Sequence, residues 1–373
     1  MSSIEPIKVP KWGLSMEEGT IVEWHVSEGD SLSEGDELVD IETTKITNVC
    51  EAHKGGVLRR IVADPGRTLP VGALIAVMAD EGVSDTDIDA FIAEFEDAFD
   101  PDEAAAEEAG LEIRSVEIEG GRSVRVGIAG AGQEGTPYVL LHGFGGDLEN
   151  WSLVQEALSA NTPVYTIELP GHGQSTKAVG EGRLSDLADA VVATIEALGL
   201  ENFIIVGHSL GGAVASEVAA RVGDQAEGLG LVCPAAMPGG DLSANYLDAF
   251  VAAKRARDLR EPVEMLFKDP AMATRDMLDG LAKMKRLDGA QEALSMIKEN
   301  LKGADPAYAA LGARLETVSA PILLLATKAD RIVGAPDADQ LPSNTTVVWI
   351  EDAGHMPHLE RSADVVTALT ELR

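Results

Sequence analysis

The alternation of apolar and polar positions changes along the chain. Up to about residue 80, short apolar segments are separated by turns that carry glycine, which predicts closely spaced strands. From about residue 113, runs of consecutive apolar residues alternate with longer segments of helical periodicity, which predicts buried parallel strands and the helices that cover them. We therefore expect a multidomain chain, with a small all-β sandwich over residues 4–80 and a doubly wound α/β domain over residues 113–373.

The β-rich segment contains an internal repeat. Gly19-Thr20-Ile21-Val22 is similar to Gly55-Gly56-Val57-Leu58. The glycines that follow the two motifs correspond in pairs: Gly29 with Gly66, and Gly35 with Gly72. Two equivalent β halves predict a sandwich with pseudo-twofold symmetry. The segment that joins them, Glu42-Thr43-Thr44-Lys45-Ile46-Thr47-Asn48, should form an exposed hairpin with Lys45 at its tip.

The larger domain is expected to open with a hairpin and to continue with parallel strands. The hairpin consists of Val116–Glu119 and Ser123–Ile128. The apolar runs that we interpret as parallel strands are Tyr138–Leu141, Val164–Ile167, Phe203–Val206, Gly228–Val232, Ile322–Ala326 and Val347–Ile350. Residues 237–316 are helical in pattern and contain no convincing strand, so we interpret them as a helical cap inserted into the α/β domain.

The stretch between the two domains, residues 81–112, combines a linker composition with one amphipathic segment. It holds thirteen acidic residues and no Lys or Arg, which is typical of a solvated linker. The apolar residues that recur at helical spacing on one face are Ile88, Phe91, Ile92, Phe95 and Phe99. We predict a helix over residues 85–99, capped by Asp85 or Asp87, whose apolar stripe covers the flank of the α/β domain. The alternative is a docking helix that binds a groove on a partner protein.

Composition narrows the classes of function. The net charge of −34 disfavours binding to nucleic acid and to anionic membranes. No apolar run is long enough to span a bilayer, and the N-terminal residues lack the basic and apolar regions of a secretory signal. The only cysteines, Cys50 and Cys233, lie in different domains, which favours the reducing cytoplasm over a disulfide framework. No metal site is expected.

A candidate nucleophile follows the apolar run Phe203–Val206. The sequence Gly207-His208-Ser209-Leu210-Gly211-Gly212 leads from a predicted strand into an alanine-rich helix. Small residues on both sides allow the sharp turn that lifts a serine hydroxyl above the sheet. Because such a hydroxyl needs a base that is itself oriented by an acid, we expect partners for Ser209 later in the chain.

The acid and the base are expected at the carboxyl ends of the last two strands, where ligands bind in open α/β sheets. Asp330 follows the first of these strands and His355 follows the second, in the chain order serine, acid, histidine. Asp337 and Asp339 are rival acids that lie deeper in the loop. His358 is a rival base, for which we expect a packing role.

An oxyanion site is predicted in the segment Leu141-His142-Gly143-Phe144-Gly145-Gly146, which follows another strand. Its glycines allow backbone N–H groups to turn toward a developing negative charge. We predict the N–H groups of Phe144 and Leu210 as the donors; one such donor typically contributes about 3 kcal/mol of transition-state stabilisation. His142 and His172 are expected to be structural.

Lys45 has two interpretations. A lysine on a hairpin is usually only a solvated charge, but a rigid hairpin at the symmetry point of a β repeat also suits the base of an acyl carrier arm. Pro10-Lys11-Trp12-Gly13-Leu14-Ser15-Met16-Glu17-Glu18-Gly19 and Glu42-Thr43-Thr44-Lys45 resemble the lipoyl domains of 2-oxoacid and acetoin dehydrogenase complexes. The resemblance covers residues 4–80 and implies lipoate in amide linkage to Lys45. Biotinyl domains carry methionines where this chain has Thr44 and Ile46.

Residues 113–373 resemble α/β-hydrolase-fold enzymes with a lid, also in Leu169-Pro170-Gly171-His172-Gly173-Gln174-Ser175 and Gly354-His355-Met356-Pro357. Together, the two domains resemble the acyltransferase (dihydrolipoamide acetyltransferase) component of acetoin dehydrogenase complexes, in its form with a hydrolase-like catalytic domain. The resemblance implies transfer of an acetyl group from S-acetyldihydrolipoyl-Lys45 to coenzyme A. The His-x-x-x-Asp-Gly motif and the basic partner-binding domain of ordinary lipoyl acyltransferases are absent.

Within this interpretation, Ser209 takes the acetyl group and the coenzyme A thiol removes it, with His355 as the base in both steps. The candidates for binding the phosphates of coenzyme A are the cap residues Lys254, Arg255, Arg257 and Arg260. The alternative for these four cations is surface salt bridging with Asp258 and Glu261.

The resemblance also implies partners, namely a thiamine-dependent acetoin-cleaving component and a flavin-dependent dihydrolipoamide dehydrogenase. We expect a homo-oligomer, whose size no pattern in the sequence defines. Two alternatives to acetyl transfer stay open: a thioesterase or esterase that uses the lipoyl domain as a carrier, and a non-catalytic lipoyl scaffold. The set of Ser209, Asp330 and His355 argues against the scaffold.

Overall fold

The structure is a computed structural model of the chain. The residues that it describes are 4–10, 18–42, 47–80, 82–101 and 111–372. The chain divides into two compact units, Met1–Glu112 and Ile113–Arg373, which we call the first and second units. No helix within the described residues is long and apolar enough to cross a membrane.

The first unit is a sandwich of two four-stranded sheets. Its strands are β1 (Ile4–Lys8), β2 (Glu18–Trp24), β3 (Ser31–Leu32), β4 (Glu37–Glu42), β5 (Thr47–Glu51), β6 (Gly56–Ile61), β7 (Thr68–Pro70) and β8 (Leu74–Ala79). One sheet has the order β1-β8-β6-β3 and the other β5-β4-β2-β7, so each strand has a counterpart at the same place in the opposite sheet. Fully buried Ile21, Leu38 and Ile75 lie in the core of the sandwich. This symmetry confirms the prediction of two equivalent β halves.

Paired glycines form the turns of the sandwich. Gly29, Gly35, Gly66 and Gly72 have φ angles of 98°, 88°, 88° and 78°. Glycine enters this left-handed region at little cost, whereas a residue with a β-carbon would be strained there. The glycine pairs of the sequence repeat are therefore equivalent turns of the two halves.

The hairpin between β4 and β5 connects the two halves of the repeat. These strands are antiparallel neighbours, and their pairing extends to Glu42 and Thr47. Residues 43–46 therefore join two adjacent strand ends. Lys45, and residues 11–17 of the lipoyl-like motif, lie outside the described residues.

Strand β8 is buried on both faces, unlike its counterpart β4. All of its residues are buried, whereas β4 exposes a glutamate at each end. On one face of β8, Ile75 and Met78 contribute to the core of the sandwich. On the other face, Leu74 and Val77 belong to an apolar cluster with a helix, α1 (Asp85–Ala98).

The apolar stripe of α1 is the face of the helix that packs on β8. Ile88 is fully buried, and Phe91, Ile92 and Phe95 are half-buried against the same cluster. The expectation that this stripe covers the flank of the α/β domain is therefore wrong, because its partner surface is the outer face of the sandwich. The physical reason is the apolar outer face of β8, which without the helix would be in contact with water.

Arginine side chains also hold α1 against the sandwich. The Arg59 guanidinium donates hydrogen bonds to the backbone oxygens of Asp80 and Val83 and to the carboxylate of Asp85, at 3.0 to 3.1 Å. The Ser84 side chain accepts the backbone N–H of Asp87, so Ser84 is the N-cap residue. The prediction of Asp85 or Asp87 as the cap is wrong, because Ser84 caps the helix and Asp85 pairs with Arg59.

The second unit is built on an eight-stranded sheet. Its strands are β9 (Leu111–Ile118), β10 (Arg122–Ala129), β11 (Tyr138–Leu141), β12 (Val164–Ile167), β13 (Phe203–His208), β14 (Ala226–Val232), β15 (Ile322–Ala326) and β16 (Thr345–Trp349). The strand order is β16-β15-β14-β13-β11-β12-β10-β9, with parallel pairing from β16 to β12 and an antiparallel β10. Strand β9 begins before the predicted hairpin because this edge strand exposes polar residues that hide its pattern.

Helices cover both faces of this sheet. They are α2 (Ser152–Ser159), α3 (Leu184–Ala197), α4 (Leu210–Val222), α5 (Ala244–Ala252), α6 (Ala256–Glu264), α7 (Arg275–Met284), α8 (Ala290–Glu299), α9 (Pro306–Ala309), α10 (Leu311–Leu315), α11 (Pro357–Glu360) and α12 (Ser362–Thr370). Residues of α3 and α4 pack on one face, and residues of α2 and α12 on the other. Helices α5 to α10 lie between β14 and β15, in the segment that the sequence assigns to the cap.

The packing of α1 predicts the effect of charging its stripe. Phe91→Asp with Phe95→Asp should destabilise the first unit by about 2 kcal/mol, because two half-buried rings lose part of the roughly 1.5–3 kcal/mol that a fully buried side chain contributes. Amide hydrogen exchange of β8 should become faster. Ala90→Asp with Ala93→Asp adds the same charges on the exposed face and should leave exchange unchanged. Equal effects of the two double variants would contradict the packing role.

Candidate active site

Ser209 occupies the sharp turn between β13 and α4. Its φ of 52° and ψ of −117° are strained for a residue with a side chain. A β-carbon at Gly207 would lie 2.0 Å from the carbonyl oxygen of Gly211, and one at Gly211 would lie 2.4 Å from that of Leu141. The strand, the turn and the helix approach so closely that only glycine fits on either side of the serine.

Asp330 and His355 meet beyond the carboxyl ends of β15 and β16. His355 Nδ1 lies 2.8 Å from Asp330 Oδ2, and both side chains are 2% exposed. Asp330 Oδ1 accepts the backbone N–H groups of Ile332 and Val333, at 2.7 and 3.0 Å. Burial pushes the pKa of Asp330 upward, but His355 and these N–H donors together hold it below its ordinary value. An ionised Asp330 orients the imidazole with Nδ1 protonated, which leaves Nε2 as the proton acceptor.

The rival residues have structural contacts of their own. Asp337 accepts the backbone N–H of Asp339 and the side-chain amide of Gln340, at 3.1 and 2.6 Å, and so begins a short helical turn. His358 is fully buried, with its ring 4.6 Å from that of Trp151 between centroids. Burial lowers the pKa of His358 to about 3, so it stays neutral. These contacts support the packing role expected for His358.

His208 connects the turn at Ser209 to His355 by a hydrogen bond, a contact that the sequence analysis missed. Its Nε2 lies 2.8 Å from the carbonyl oxygen of His355 and therefore donates a hydrogen bond to it. The two rings lie 4.7 Å apart between centroids. Burial lowers the pKa of His208 well below its ordinary range, so the ring is neutral. Because His208 directly precedes Ser209, this hydrogen bond fixes the main chain of His355 beside Ser209. The variable position of a G-x-S-x-G motif carries no signal for such a contact.

The loop after β11 passes directly over the serine. A β-carbon at Gly143 would lie 3.1 Å from Cβ of Ser209. The backbone N–H of Phe144 has no hydrogen-bond acceptor among the described residues. Leu210 is the first residue of α4, where the N–H has no intrahelical acceptor. Two N–H groups on neighbouring segments are thus available to a negatively charged oxygen.

His142 and His172 support this loop from behind. Leu169 donates its backbone N–H to His142 Nε2 at 2.9 Å, and His142 Nδ1 lies 2.8 Å from the carbonyl oxygen of Gly143. Burial lowers the pKa of His142 to about 3 and that of His172 to about 4. Both rings are neutral and held in place, in line with the structural roles expected for them.

Cys233 is a second residue that the sequence analysis missed. It follows β14 with a φ of 41°. Its Sγ lies within 4.8 Å of a carboxylate oxygen of Asp330 and of a ring nitrogen of His355, and those two atoms also lie within 4.8 Å of each other. Burial, followed by the charge of Asp330, raises the pKa of the thiol well above its ordinary value. A neutral thiol therefore lies beside the carboxylate. A lone cysteine at a strand end gives no sequence signal for this position.

The cap cations are largely paired with acids on their own helix. Arg255 and Arg257 lie 3.0 and 3.6 Å from the carboxylate of Asp258, and Arg260 lies 3.3 Å from that of Glu264. All three arginines are more than half exposed. The expected partner Glu261 is replaced by Glu264, because residues four apart share one face of a helix. Lys254 is exposed.

Comparison with known proteins gives a family match in each unit. Residues 138–368 match the alpha/beta hydrolase family. Residues 5–78 match a family described as biotin-requiring enzyme, which covers biotinyl and lipoyl domains. The two matches fall on the eight-stranded sheet and on the sandwich respectively.

Two bacterial relatives match the chain over nearly the full length of both proteins. The chain is 39% identical to the dihydrolipoyllysine-residue acetyltransferase component of the acetoin cleaving system of Pseudomonas putida, over 98% of this chain and 97% of the relative. It is 38% identical to the component of the same description in Cupriavidus necator, over 97% and 95%. A meta-cleavage product hydrolase from Pseudomonas fluorescens IP01 superposes with a TM-score of 0.62 at 20% identity, covering 70% of this chain and 98% of that one. At that identity the likeness shows the fold alone.

The close approach at the serine turn predicts opposite effects of one substitution at two helical glycines. Gly280→Ala on α7 meets no atom within 4 Å and should stabilise the chain by about 0.5–1 kcal/mol. Gly211→Ala on α4 should instead destabilise it by about 1–3 kcal/mol, since its β-carbon overlaps the carbonyl oxygen of Leu141. Chemical denaturation measures both changes. A Gly211→Ala variant as stable as Gly280→Ala would disprove the tight contact.

Proposed function

The chain belongs to the family of dihydrolipoyllysine-residue acetyltransferase components of acetoin cleaving systems, and from this premise we propose that Ser209, His355 and Asp330 carry out its acetyl transfer. The observation that carries the proposal is the 2.8 Å contact between His355 Nδ1 and Asp330 Oδ2. It lies beyond the same edge of the sheet as the strained Ser209. The acceptor of the acetyl group is coenzyme A.

The first unit carries covalent lipoate, and we assign the attachment to Lys45. In its reduced, dihydrolipoyl form this group supplies a thiol that holds the acetyl group as a thioester. The described strands support the assignment, because β4 and β5 stay paired up to Glu42 and Thr47. An arm on Lys45 starts between two strand ends that are paired with each other. The carboxyl group of lipoate forms an amide with a lysine amine, which Lys45 provides.

Ser209 acts first as the nucleophile. Its Oγ attacks the carbonyl carbon of the acetyl thioester, while His355 Nε2 takes the hydroxyl proton. The oxygen of that carbonyl becomes negative and accepts the N–H groups of Phe144 and Leu210. The carbon–sulfur bond then breaks, and His355 returns the proton to the departing thiolate. The products are acetyl-Ser209 and a free thiol on the arm.

His355 then activates the second thiol. It takes the proton of the coenzyme A thiol, and the sulfur attacks the carbonyl carbon of acetyl-Ser209. The bond to Oγ breaks, the serine recovers its proton from His355, and acetyl-coenzyme A leaves. Water would give acetate by the same route, so transfer requires a site that holds little water. Ser209 is 6% exposed and His355 is 2% exposed, which supports transfer.

Hydrolysis is the second candidate outcome. The overall fold matches that of solved hydrolases, and the same three side chains would hydrolyse an ester or a thioester. We favour transfer because the near-full-length relatives are acetyltransferase components. A non-catalytic scaffold would not require a carboxylate-oriented histidine.

We also propose that Lys254 and the exposed arginines Arg255, Arg257 and Arg260 attract the phosphates of coenzyme A from the cap surface.

We base the proposed partners on the family and the proposed location on the cysteines. An acetoin cleaving system has further components, and we propose a thiamine-dependent acetoin-cleaving enzyme and a flavin-dependent dihydrolipoamide dehydrogenase as those that meet this chain. We also propose a homo-oligomeric core for the assembly. A cytoplasmic location agrees with Cys50 and Cys233, which are both buried and are not joined in a disulfide.

The lipoyl assignment predicts a single modified lysine. Protein produced with lipoate and a lipoate ligase should gain the mass of one lipoyl group, and Lys45→Arg should remove this adduct while keeping the charge. Intact-mass spectrometry measures both. Lys54→Arg, a change at an exposed lysine of the same unit, is the control and should keep the adduct. A biotin adduct, or a lipoyl adduct that survives Lys45→Arg, would show that the assignment is wrong.

The triad predicts a graded loss of activity. Ser209→Ala should abolish acetyl transfer, with a fall in kcat of about 10⁶-fold, while Asp330→Asn should lower it about 10⁴-fold. Asp337→Asn is the control, since this carboxylate caps a turn instead of contacting His355. The assay uses acetyl-dihydrolipoamide with and without coenzyme A, and mass spectrometry identifies acetyl-coenzyme A or acetate.

The outcomes separate the candidates. Acetyl-coenzyme A as the main product identifies a transferase, and acetate at the same rate with or without coenzyme A identifies a hydrolase. If transfer survives in Ser209→Ala, the two thiols exchange the acetyl group directly and no acetyl-serine forms. A severe loss in Asp337→Asn together with a harmless Asp330→Asn would reject the choice of acid.

A further inference from the structure

A side chain of the cap packs on the outer side of the loop that carries the oxyanion donor. The ring of Phe250, on α5, lies 5.7 Å from the ring of Phe144 between centroids, edge to face. Gly145 has a φ of 78°, and a β-carbon there would lie 2.3 Å from Cζ of Phe250. Phe250 is 2% exposed. The loop is therefore held from inside by the sheet and from outside by one aromatic ring of the cap.

Lys285, which follows α7, holds that ring in turn. Its ammonium lies 4.6 Å from the centroid of the Phe250 ring and donates a hydrogen bond to the backbone oxygen of Phe250. The backbone oxygen of Val251 lies 3.4 Å away and also accepts the side-chain amide of Gln291, at 2.9 Å. These oxygens belong to the C-terminal end of α5, where carbonyls lack intrahelical donors and attract a cation.

The half-buried ammonium has no carboxylate within ion-pair distance among the described residues. Its charge therefore acts on the aromatic ring and on the helix end. A cation over an aromatic ring stabilises the pair more strongly the further it is removed from water. A small cavity lies between the loop and the cap, lined by Gly145, Gly173, Phe250, Met284 and Lys285.

We propose that Phe250 and Lys285 form a cap latch, through which the cap positions the backbone N–H of Phe144 for the oxyanion. This inference rests on the proposed function, since it takes Phe144 as an oxyanion donor. Neither side chain touches the reacting atoms, so both are positioning residues. The latch thus links the position of the cap to the geometry of the oxyanion site.

The latch should affect the transition state more than the bound substrate. The negative charge on the oxygen develops only during the reaction, so a misplaced donor lowers kcat with little change in KM. Removing one donor entirely costs about 10²–10³-fold in kcat. A loosened latch displaces the donor only in part, and we expect about a tenfold loss.

The test uses the full-length protein with a small activated acetyl ester. Phe250→Leu removes the ring, and Lys285→Met removes the charge but keeps the apolar stem. Lys283→Met, at an exposed position on α7, is the matched control. Each variant is assayed for kcat, KM and the inhibition constant of a trifluoromethyl ketone, which forms a tetrahedral oxyanion adduct with a serine. Thermal unfolding shows that each variant is folded.

Both latch variants should lose about tenfold in kcat and bind the ketone about tenfold more weakly, at a KM within about twofold of the parent. In the double variant the two losses should not multiply, because Lys285 acts through Phe250. Lys283→Met should behave as the parent does. Unchanged kcat and ketone affinity, equal changes in KM, or losses that multiply would overturn the latch. A parent protein that forms no ketone adduct would instead reject the proposed serine chemistry.

Discussion

The tight crossing of three backbone segments at Ser209 is the constraint on which the rest of the second unit depends. Gly211 lies so close to the carbonyl oxygen of Leu141 that no β-carbon fits between them. This contact brings the end of β11, and the loop that follows it, onto the N-terminus of α4. Ser209 and Leu210, which we propose as nucleophile and oxyanion donor, lie at this crossing, and Phe144 lies in the loop that it positions. His208, which bonds to the main chain of His355, directly precedes Ser209. A larger residue at Gly211 would push the loop after β11 away from the N-terminus of α4, and with it the backbone N–H of Phe144.

The sequence predicts most of the sheet because buried parallel strands are short, apolar and bounded by turns. Tyr138–Leu141, Val164–Ile167 and Ile322–Ala326 have the bounds that the apolar runs predict. The edge strand β9 begins earlier than predicted because its exposed polar residues break the pattern. The triad residues were found from motif and chain order, and the 2.8 Å contact between His355 and Asp330 agrees with that choice.

Contacts between segments far apart in sequence were beyond this approach. Nothing in the local pattern indicates that the Phe250 ring of the cap would lie on the oxyanion loop, or that Cys233 would lie beside Asp330. The α1 stripe was visible, but its partner was not, because strand β8 has a buried residue at every position and offers two apolar faces. The counterpart strand β4 ends in exposed glutamates and leads to the lysine hairpin, so the two halves share one fold but differ in their outer surfaces.

Neutral histidines have a consequence for the behaviour of the second unit in acid. Burial keeps four of the seven histidines, His142, His172, His208 and His358, below their ordinary pKa. The unfolded chain would take up protons at these rings below pH about 6.5, whereas the folded unit would not until about pH 4 or lower. In that window each ring lowers the free energy of unfolding by about 1.4 kcal/mol for every pH unit of acidification. Asp147 and Glu168, whose pKa values burial raises, take up protons earlier in the folded unit and offset part of this loss. The burial that keeps these four rings neutral around His355 therefore lowers the stability of the second unit in mild acid.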